Sequence, residues 1–212
     1  MKMQREFIRK LAGVPFVLLV VLAIFGLLPK TGAAGINTDT VAIGAKIENF
    51  SLADTDGKQR SFKDLKGKNG ALIVFMSAQC PVVKVYADRI NALANDFGAK
   101  GITVIGMNSN ATESLDYVKT NMTERSYSFP MLIDKGNVIA DKFGATVTPE
   151  VYLFDKEGKL VYRGAIDNDR SGENVTARPL QEAVDATLAG KAVAKTETKA
   201  FGCSIKRAAA AK

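Results

Sequence analysis

Two continuous apolar runs dominate the hydrophobic pattern of the central chain. Neither Ala71–Met76 nor Ile102–Met107 contains a charged side chain, which is typical of strands buried on both faces of a parallel sheet. Between the runs, apolar residues recur at helical spacing from Val82 to Phe97. The pattern therefore predicts a β-α-β unit.

Short strands and short helices are predicted on either side of this unit. Residues 50–62 are predicted to form two short strands around Asp56 and Gly57, because Asp-Gly favours a tight turn. Further along, turn residues and apolar spacing predict a helix carrying Leu115, Val118 and Met122, a strand at 129–133, a helix stopped by Gly144, a hairpin around 156–158, and a helix from Pro179 to Gly190. The chain is thus predicted to be an α/β protein.

The N-terminus has the pattern of a membrane anchor or a signal peptide. Leu11–Leu28 is an uncharged stretch of 18 residues, and as a helix it would be about 27 Å long, close to the hydrocarbon thickness of a bilayer. The stretch is longer than most signal-peptide cores, which favours an uncleaved anchor, although Gly32 and Ala34 suit a signal peptidase. Basic residues precede it and should stay in the cytoplasm, so the remainder is expected to be exported, facing the periplasm in a Gram-negative bacterium or secreted after cleavage. These basic residues are Lys2, Arg5, Arg9 and Lys10.

Composition divides the chain into four segments. Residues 1–30 form the anchor or signal segment, 31–42 a linker of small residues, 43–190 a globular domain, and 191–212 a Lys/Ala-rich tail that we expect to be mobile. Residues 1–30 hold five basic and one acidic residue, and residues 191–212 hold six and one. Of the net charge of +7, these segments carry +4 and +5, which leaves −2 for residues 31–190. A slightly acidic domain argues against nucleic-acid binding.

The absence of histidine narrows the possible chemistry. No histidine occurs in the 212 residues, which excludes Cys-His nucleophile pairs, Ser-His-Asp triads and histidine-bound metals. We expect no metal or cofactor, and we assign Met76, Met107 and Met131 to core packing rather than to copper.

Cys80 occupies a position suited to thiol chemistry. It lies where a buried strand ends and a helix begins, with Pro81 in the first turn. Free N–H groups and the helix dipole there favour a thiolate, and Lys84 could add positive charge on the same face. A buried structural cysteine is the alternative, since free cysteines are often buried.

The whole pattern resembles a thioredoxin-fold redoxin. The leading hairpin, "VFMSAQCP" (74–81), "VIGMNSN" (104–110), residues 144–167 and the tail motif Gly-Cys-Ser-Ile-Lys (202–206) are similar to the alkyl hydroperoxide reductase/thiol-specific antioxidant (AhpC/TSA) family. The resemblance implies a central mixed sheet flanked by helices, with an N-terminal β-hairpin extension. It also implies that Cys80 is redox-active and that Thr148 and Pro149 form a loop whose proline is cis, faces Cys80 and offers backbone groups to a substrate.

The sequence departs from both motifs of its relatives. Val83 stands where Cys-x-x-Cys reductases have their second cysteine. Ser77 matches the hydroxyl residue three positions before a peroxiredoxin cysteine, but Ile73 replaces the proline of that motif. The fold is therefore better specified than the reaction.

Cys203 is the only other cysteine. Carried on the tail, it is expected to resolve an oxidised Cys80, to form a structural disulfide with it, or to remain an independent thiol. Arg163 is a further candidate for steadying a thiolate or peroxide, with an exposed hairpin arginine as the alternative.

The sequence thus predicts a thiol-dependent oxidoreductase that acts on a disulfide or peroxide and is restored by an external thiol. The alternative is a non-catalytic thioredoxin-fold module that binds peptides beside Pro149.

Overall fold

The fold is built on a five-stranded mixed sheet with helices on both faces. The computed structural model describes residues 40–209. The sheet has the order β5-β4-β3-β7-β8. In chain order the elements are β1 (Ser51–Ala53), β2 (Gln59–Ser61), α1 (Phe62–Leu65), β3 (Gly70–Met76), α2 (Pro81–Val85), α3 (Ala87–Ala99), β4 (Ile102–Asn108), α4 (Leu115–Glu124), β5 (Met131–Ile133), α5 (Val138–Phe143), β6 (Val147–Thr148), β7 (Glu150–Phe154), β8 (Leu160–Gly164), α6 (Pro179–Leu188) and β9 (Cys203–Ser204).

The predicted β-α-β unit forms the centre of this sheet. β3 pairs parallel with β4 and antiparallel with β7, so it has a neighbour on each side. All seven of its residues are buried. Leu72 and Val74 pack into the core on one face of the sheet, whereas Ile73 and Phe75 pack into the core on the other. Because both faces of β3 are buried against the core, its sequence does not alternate between polar and apolar residues.

The flanking elements also lie where the pattern places them. β1 and β2 pair antiparallel around the turn at Gly57, which adopts a φ of 80°. β7 and β8 form the second predicted hairpin. Gly144 ends α5 with a φ of 72°, a left-handed conformation that favours glycine.

The predicted helix after Cys80 is two helices. α2 ends at Val85 and α3 begins at Ala87, and Tyr86 between them has a ψ of −4°. The Tyr86 hydroxyl donates to the Asp167 carboxylate at 2.6 Å, and the Arg89 guanidinium lies 3.4 Å from the centre of its ring. Apolar spacing continues across this break, so periodicity alone does not reveal it.

The prediction of a mobile tail is wrong for residues 191–209. The chain after α6 first runs along β8, where the Thr198 N–H donates to the Arg163 carbonyl at 3.1 Å. It then pairs antiparallel with β6 as β9. The Lys/Ala-rich composition suggested a solvated segment, but contacts with distant parts of the chain hold it in place.

The predicted anchor or signal at Leu11–Leu28 lies outside the described residues. Within residues 40–209, none of the helices is long and apolar enough to cross a membrane.

Candidate active site

The two cysteines of the chain meet although 123 positions separate them in sequence. The Cys80 and Cys203 sulfurs lie 2.6 Å apart. Both are free thiols here, and a disulfide bond is about 2.05 Å long. The contact places Cys203 where it can react directly with Cys80, and Val83, at the position of the missing second cysteine, is instead a core residue that is 1% exposed.

The junction of β3 and α2 fixes Cys80. Cys80 is the N-cap residue of α2, its backbone is extended, and Pro81 opens the helix. The backbone then turns so that the side chain points into the protein, where it is 2% exposed. Its thiol donates to the Thr148 carbonyl at 3.3 Å.

The tail is held by a series of backbone contacts around Cys203. Cys203 is directly opposite Thr148 in the β6–β9 pair. The next residue but one, Ile205, donates its N–H to the Thr146 carbonyl at 2.9 Å. The Lys206 N–H then donates to the Asn110 side-chain oxygen at 3.0 Å. Cys203 is therefore positioned by ordered structure on both sides of it.

Thr148 and Pro149 lie at the same place. The Thr148–Pro149 peptide bond is cis, as predicted. Thr148 is 1% exposed, and its hydroxyl donates to the Cys203 carbonyl at 3.5 Å. Because its own carbonyl accepts from Cys80, Thr148 touches both cysteines. Its role in binding a substrate stays a prediction.

The surroundings shift the pKa values of the two thiols in opposite directions. Burial raises the pKa of the Cys80 thiol, but hydrogen bonds, above all those from the Cys203 thiol and the Val83 N–H, outweigh burial and hold that pKa below its ordinary value. Burial raises the pKa of the Cys203 thiol, and so do its hydrogen bond to Cys80 and the negative charge of an ionised Cys80. Cys80 is thus the more acidic thiol of the pair, and the thiolate is the nucleophilic form of a cysteine.

Glu113, which the sequence analysis did not single out, holds the loop in front of Cys80. Its carboxylate accepts hydrogen bonds from the backbone N–H groups of Ala78 and Gln79, at 3.0 and 2.9 Å. It also accepts from the Ser77 hydroxyl and from the Asn108 side chain, the latter at 2.6 Å. A single acidic side chain therefore ties the residues before Cys80 to the end of β4.

Asn110 is a second residue to which the sequence analysis assigned no role. Its side-chain nitrogen donates to the Met76 carbonyl at 3.2 Å, while its oxygen accepts from Lys206. It joins the end of β3 to the tail, so the two segments that carry the cysteines share one amide.

Of three predicted supporting residues, Ser77 and Arg163 contact other groups and Lys84 is exposed. Ser77 hydrogen-bonds to Glu113. Lys84 is exposed, and hydrogen bonds rather than its charge lower the pKa of Cys80. Arg163 pairs with Glu197 of the tail at 2.6 Å, so its observed partner is the tail rather than a thiolate. The expectation that Arg163 steadies Cys80 therefore has no contact to support it, whereas its carboxylate partner fixes the path of the tail.

Comparison with known proteins identifies relatives of this domain. The model of the AhpC/TSA family matches residues 43–163. Thiol-disulfide oxidoreductase ResA of Bacillus thuringiensis (strain Al Hakam) is 32% identical over 123 residues, which cover 58% of this chain and 69% of that protein. ResA of Bacillus subtilis (strain 168) is 29% identical over 124 residues, which cover 58% and 67%.

Solved structures share the fold over a longer part of the chain. A hypothetical protein of Sinorhizobium meliloti 1021 is 33% identical with a TM-score of 0.73, covering 81% of this chain and 97% of its own. A conserved protein of Geobacillus kaustophilus is 31% identical with a TM-score of 0.74, covering 82% and 96%. The predicted thioredoxin-like α/β fold is thus confirmed. The relatives together support a thiol-dependent redox function and do not favour a non-catalytic binding module.

Proposed function

Because the chain belongs to the AhpC/TSA family, we propose that it is a thiol-disulfide oxidoreductase in which Cys80 is the nucleophile and Cys203 the resolving thiol. The observation that carries the proposal is the contact of the two sulfurs at 2.6 Å. Its second support is the opposite direction of their pKa shifts, which assigns different roles to the two thiols.

The reaction has two exchange steps. The Cys80 thiolate attacks one sulfur of a partner disulfide, forms a mixed disulfide and releases the other partner sulfur as a thiolate. Cys203 then loses its proton and attacks the Cys80 sulfur. This step releases the partner's second thiolate and leaves a Cys80–Cys203 disulfide. The partner has gained two electrons that the two cysteines have lost. Two equivalents of an external thiol, or one dithiol, then reduce the Cys80–Cys203 disulfide in two further exchanges and leave as a disulfide.

Disulfide exchange is favoured over peroxide reduction by the position of Ser77. Its hydroxyl donates to Glu113, so the group that matches the peroxiredoxin hydroxyl has another partner. Proteins of Bacillus thuringiensis and Bacillus cereus that are 32% identical to this chain are named thiol-disulfide oxidoreductases.

A structural disulfide is the remaining alternative for the cysteine pair, and turnover separates the two. We would follow the reduction of a disulfide-bonded protein such as insulin by dithiothreitol, with catalytic amounts of the wild type, Cys80→Ser or Cys203→Ser. The proposal expects acceleration by the wild type, none by Cys80→Ser, and an adduct that accumulates on Cys203→Ser. If the Cys80–Cys203 disulfide of the wild type instead remains intact while insulin is being reduced, the pair is a structural disulfide.

For location, the proposal places this site outside the cytoplasm, tethered by the N-terminal apolar run. The basic residues before Leu11–Leu28 and the length of that run support this orientation.

A further inference from the structure

The two cysteines of the pair differ in their exposure to solvent. Cys80 is 2% exposed and belongs to the core on one face of the sheet, whereas Cys203 is partly exposed. The cysteine that faces solvent is therefore the one on the tail, which resolves in the proposed reaction, and the attacking cysteine lies behind it.

The groups that contact the Cys80 sulfur close it off from solvent. The Thr148 carbonyl lies 3.3 Å from this sulfur, and Thr148 is 1% exposed. The Val83 N–H, which hydrogen-bonds to the same sulfur, belongs to a residue that is also 1% exposed. The Cys203 sulfur lies against it at 2.6 Å. A molecule that comes from solvent thus meets Cys203 before it meets Cys80.

Formation of the disulfide fixes this arrangement. A partner disulfide reaches Cys80 only after Cys203 has moved aside, and in the dithiol no bond between the two sulfurs prevents this movement. In the disulfide, that bond adds to the hydrogen bonds that hold the tail, such as the one that the Ala208 N–H donates to the Asn137 side-chain oxygen at 2.7 Å. The oxidised pair therefore keeps Cys80 covered and leaves Cys203 as the sulfur that an external thiol can reach.

The acidities of the two thiols favour the same sulfur. An attack on one sulfur of a disulfide expels the other as a thiolate, and a thiol of lower pKa leaves faster. Hydrogen bonds outweigh burial and hold the pKa of Cys80 below its ordinary value, whereas burial raises the pKa of Cys203. An attack on Cys203 therefore expels the better leaving group of the pair, and an attack on Cys80 would expel the poorer one.

We propose that the external thiol which restores the protein attacks the oxidised pair at Cys203, while Cys80 remains the cysteine that attacks the partner disulfide. The thiolate of the reductant forms a bond to the Cys203 sulfur, the Cys80–Cys203 bond breaks, and its electron pair leaves with Cys80 as a thiolate. A second thiolate then attacks the reductant's sulfur in this mixed disulfide. Cys203 leaves as a thiolate and takes up a proton, and the reductant departs as a disulfide. The inference rests on the proposed function, and it assigns the substrate and the reductant to different sulfurs of one pair.

The test locates the mixed disulfide that a monothiol forms with the oxidised, full-length wild type. N-acetylcysteine is added, exchange is stopped with acid at successive early times, and the protein is digested with pepsin. Mass spectrometry then quantifies the N-acetylcysteine adducts on the peptides that contain Cys80 and Cys203. Extrapolation to zero time removes the contribution of later exchange between the two sulfurs. We expect about tenfold more adduct on Cys203 than on Cys80, because access and leaving group both favour Cys203.

The same measurement in urea is the matched control, because unfolding exposes both sulfurs and removes the surroundings that separate their pKa values. There the two adducts should form in similar amounts. Equal amounts in the folded protein, or more adduct on Cys80, would overturn the entry at Cys203 while leaving the redox function intact. The same excess on Cys203 in urea would also overturn it, because the fold would then not be the cause. A disulfide that N-acetylcysteine reduces in urea but not in the folded protein would instead count against the proposed function.

Discussion

At the scale of single residues, the site depends on two chemically identical groups placed in unequal surroundings. Cys80 is held at the start of a helix, where it accepts hydrogen bonds from the Val83 N–H and from Cys203. Cys203 is placed beside the resulting negative charge, which raises its pKa. A more acidic thiol next to a less acidic one suits an attacking and a resolving cysteine.

The Cys203 hydrogen bond should set the acidity of Cys80. Cys203→Ala removes the donor that most lowers the pKa of Cys80, whereas Cys203→Ser keeps a hydroxyl donor in the same place. We expect the Cys80 thiolate, followed by its ultraviolet absorbance, to titrate at higher pH in Cys203→Ala than in Cys203→Ser. The rate of exchange with cystamine falls as acid protonates Cys80. This fall should therefore begin at a higher pH in Cys203→Ala than in Cys203→Ser. Identical titrations would show that the hydrogen bond has no such effect.

Glu113 is only half-buried, yet its hydrogen bonds should contribute measurably to the free energy of unfolding. Glu113→Ala leaves the N–H groups of Ala78 and Gln79 without their carboxylate acceptor. We expect the free energy of unfolding of the reduced protein, from urea denaturation, to fall by about 1–3 kcal/mol. Glu124→Ala, which changes an exposed carboxylate at the end of α4, is the control and should lie within about 0.5 kcal/mol of the wild type.

The residue scale also shows how far sequence reasoning reaches. Cys80 and Pro149 could be found from motif position, since each lies at a recognisable junction. Glu113 and Asn110 could not, because their partners are backbone groups of distant segments that only the folded chain brings near. Arg163 was expected to steady a thiolate or peroxide, but it pairs with Glu197, a contact that depends on the path of the tail.

At the scale of elements, β9 is among those that sequence periodicity could not reveal. The long strands β3 and β4 are fully specified by their apolar runs. β9 has only two residues, too few to show a hydrophobic periodicity, and the Lys/Ala-rich sequence around it is typical of a mobile segment. Its position comes instead from pairing with β6 and from anchors on both sides, including the Lys206 contact with Asn110.

The packing of β9 against β6 should set how readily the disulfide forms. Gly202→Ala introduces a Cβ that overlaps the Thr148 carbonyl and moves β9 away. We expect the equilibrium with reduced and oxidised glutathione to show an effective concentration of Cys203 at Cys80 about tenfold or more below the wild type. Ser204→Ala, an exposed position on the same strand, should leave that value unchanged. If both variants match the wild type, docking of β9 does not control the pair.

At the scale of the whole molecule, the chain combines an oxidoreductase domain with an apolar N-terminal run. The match to the AhpC/TSA family begins at residue 43. An exported site would work in an oxidising compartment, where a resolving thiol limits overoxidation of Cys80.

Fractionation of cells that express the full chain tests this arrangement. We expect the intact chain in the membrane fraction, with the domain digested by protease added from the non-cytoplasmic side. A variant with Lys2, Arg5, Arg9 and Lys10 changed to glutamine serves as the control and should lose its uniform orientation. A soluble chain beginning near Gly35 would contradict the anchor and indicate a cleaved signal.

The most direct test of the central claim is the identity of the first stable product after Cys80 is oxidised. The reduced full-length protein is mixed with one equivalent of oxidised glutathione, and the products are identified by intact and peptide mass spectrometry. The pairing of Cys80 with Cys203 predicts an intramolecular disulfide in the wild type and a persistent glutathione adduct on Cys80 in Cys203→Ser. Equally long-lived adducts in both proteins would contradict the claim and leave Cys80 as a one-cysteine site.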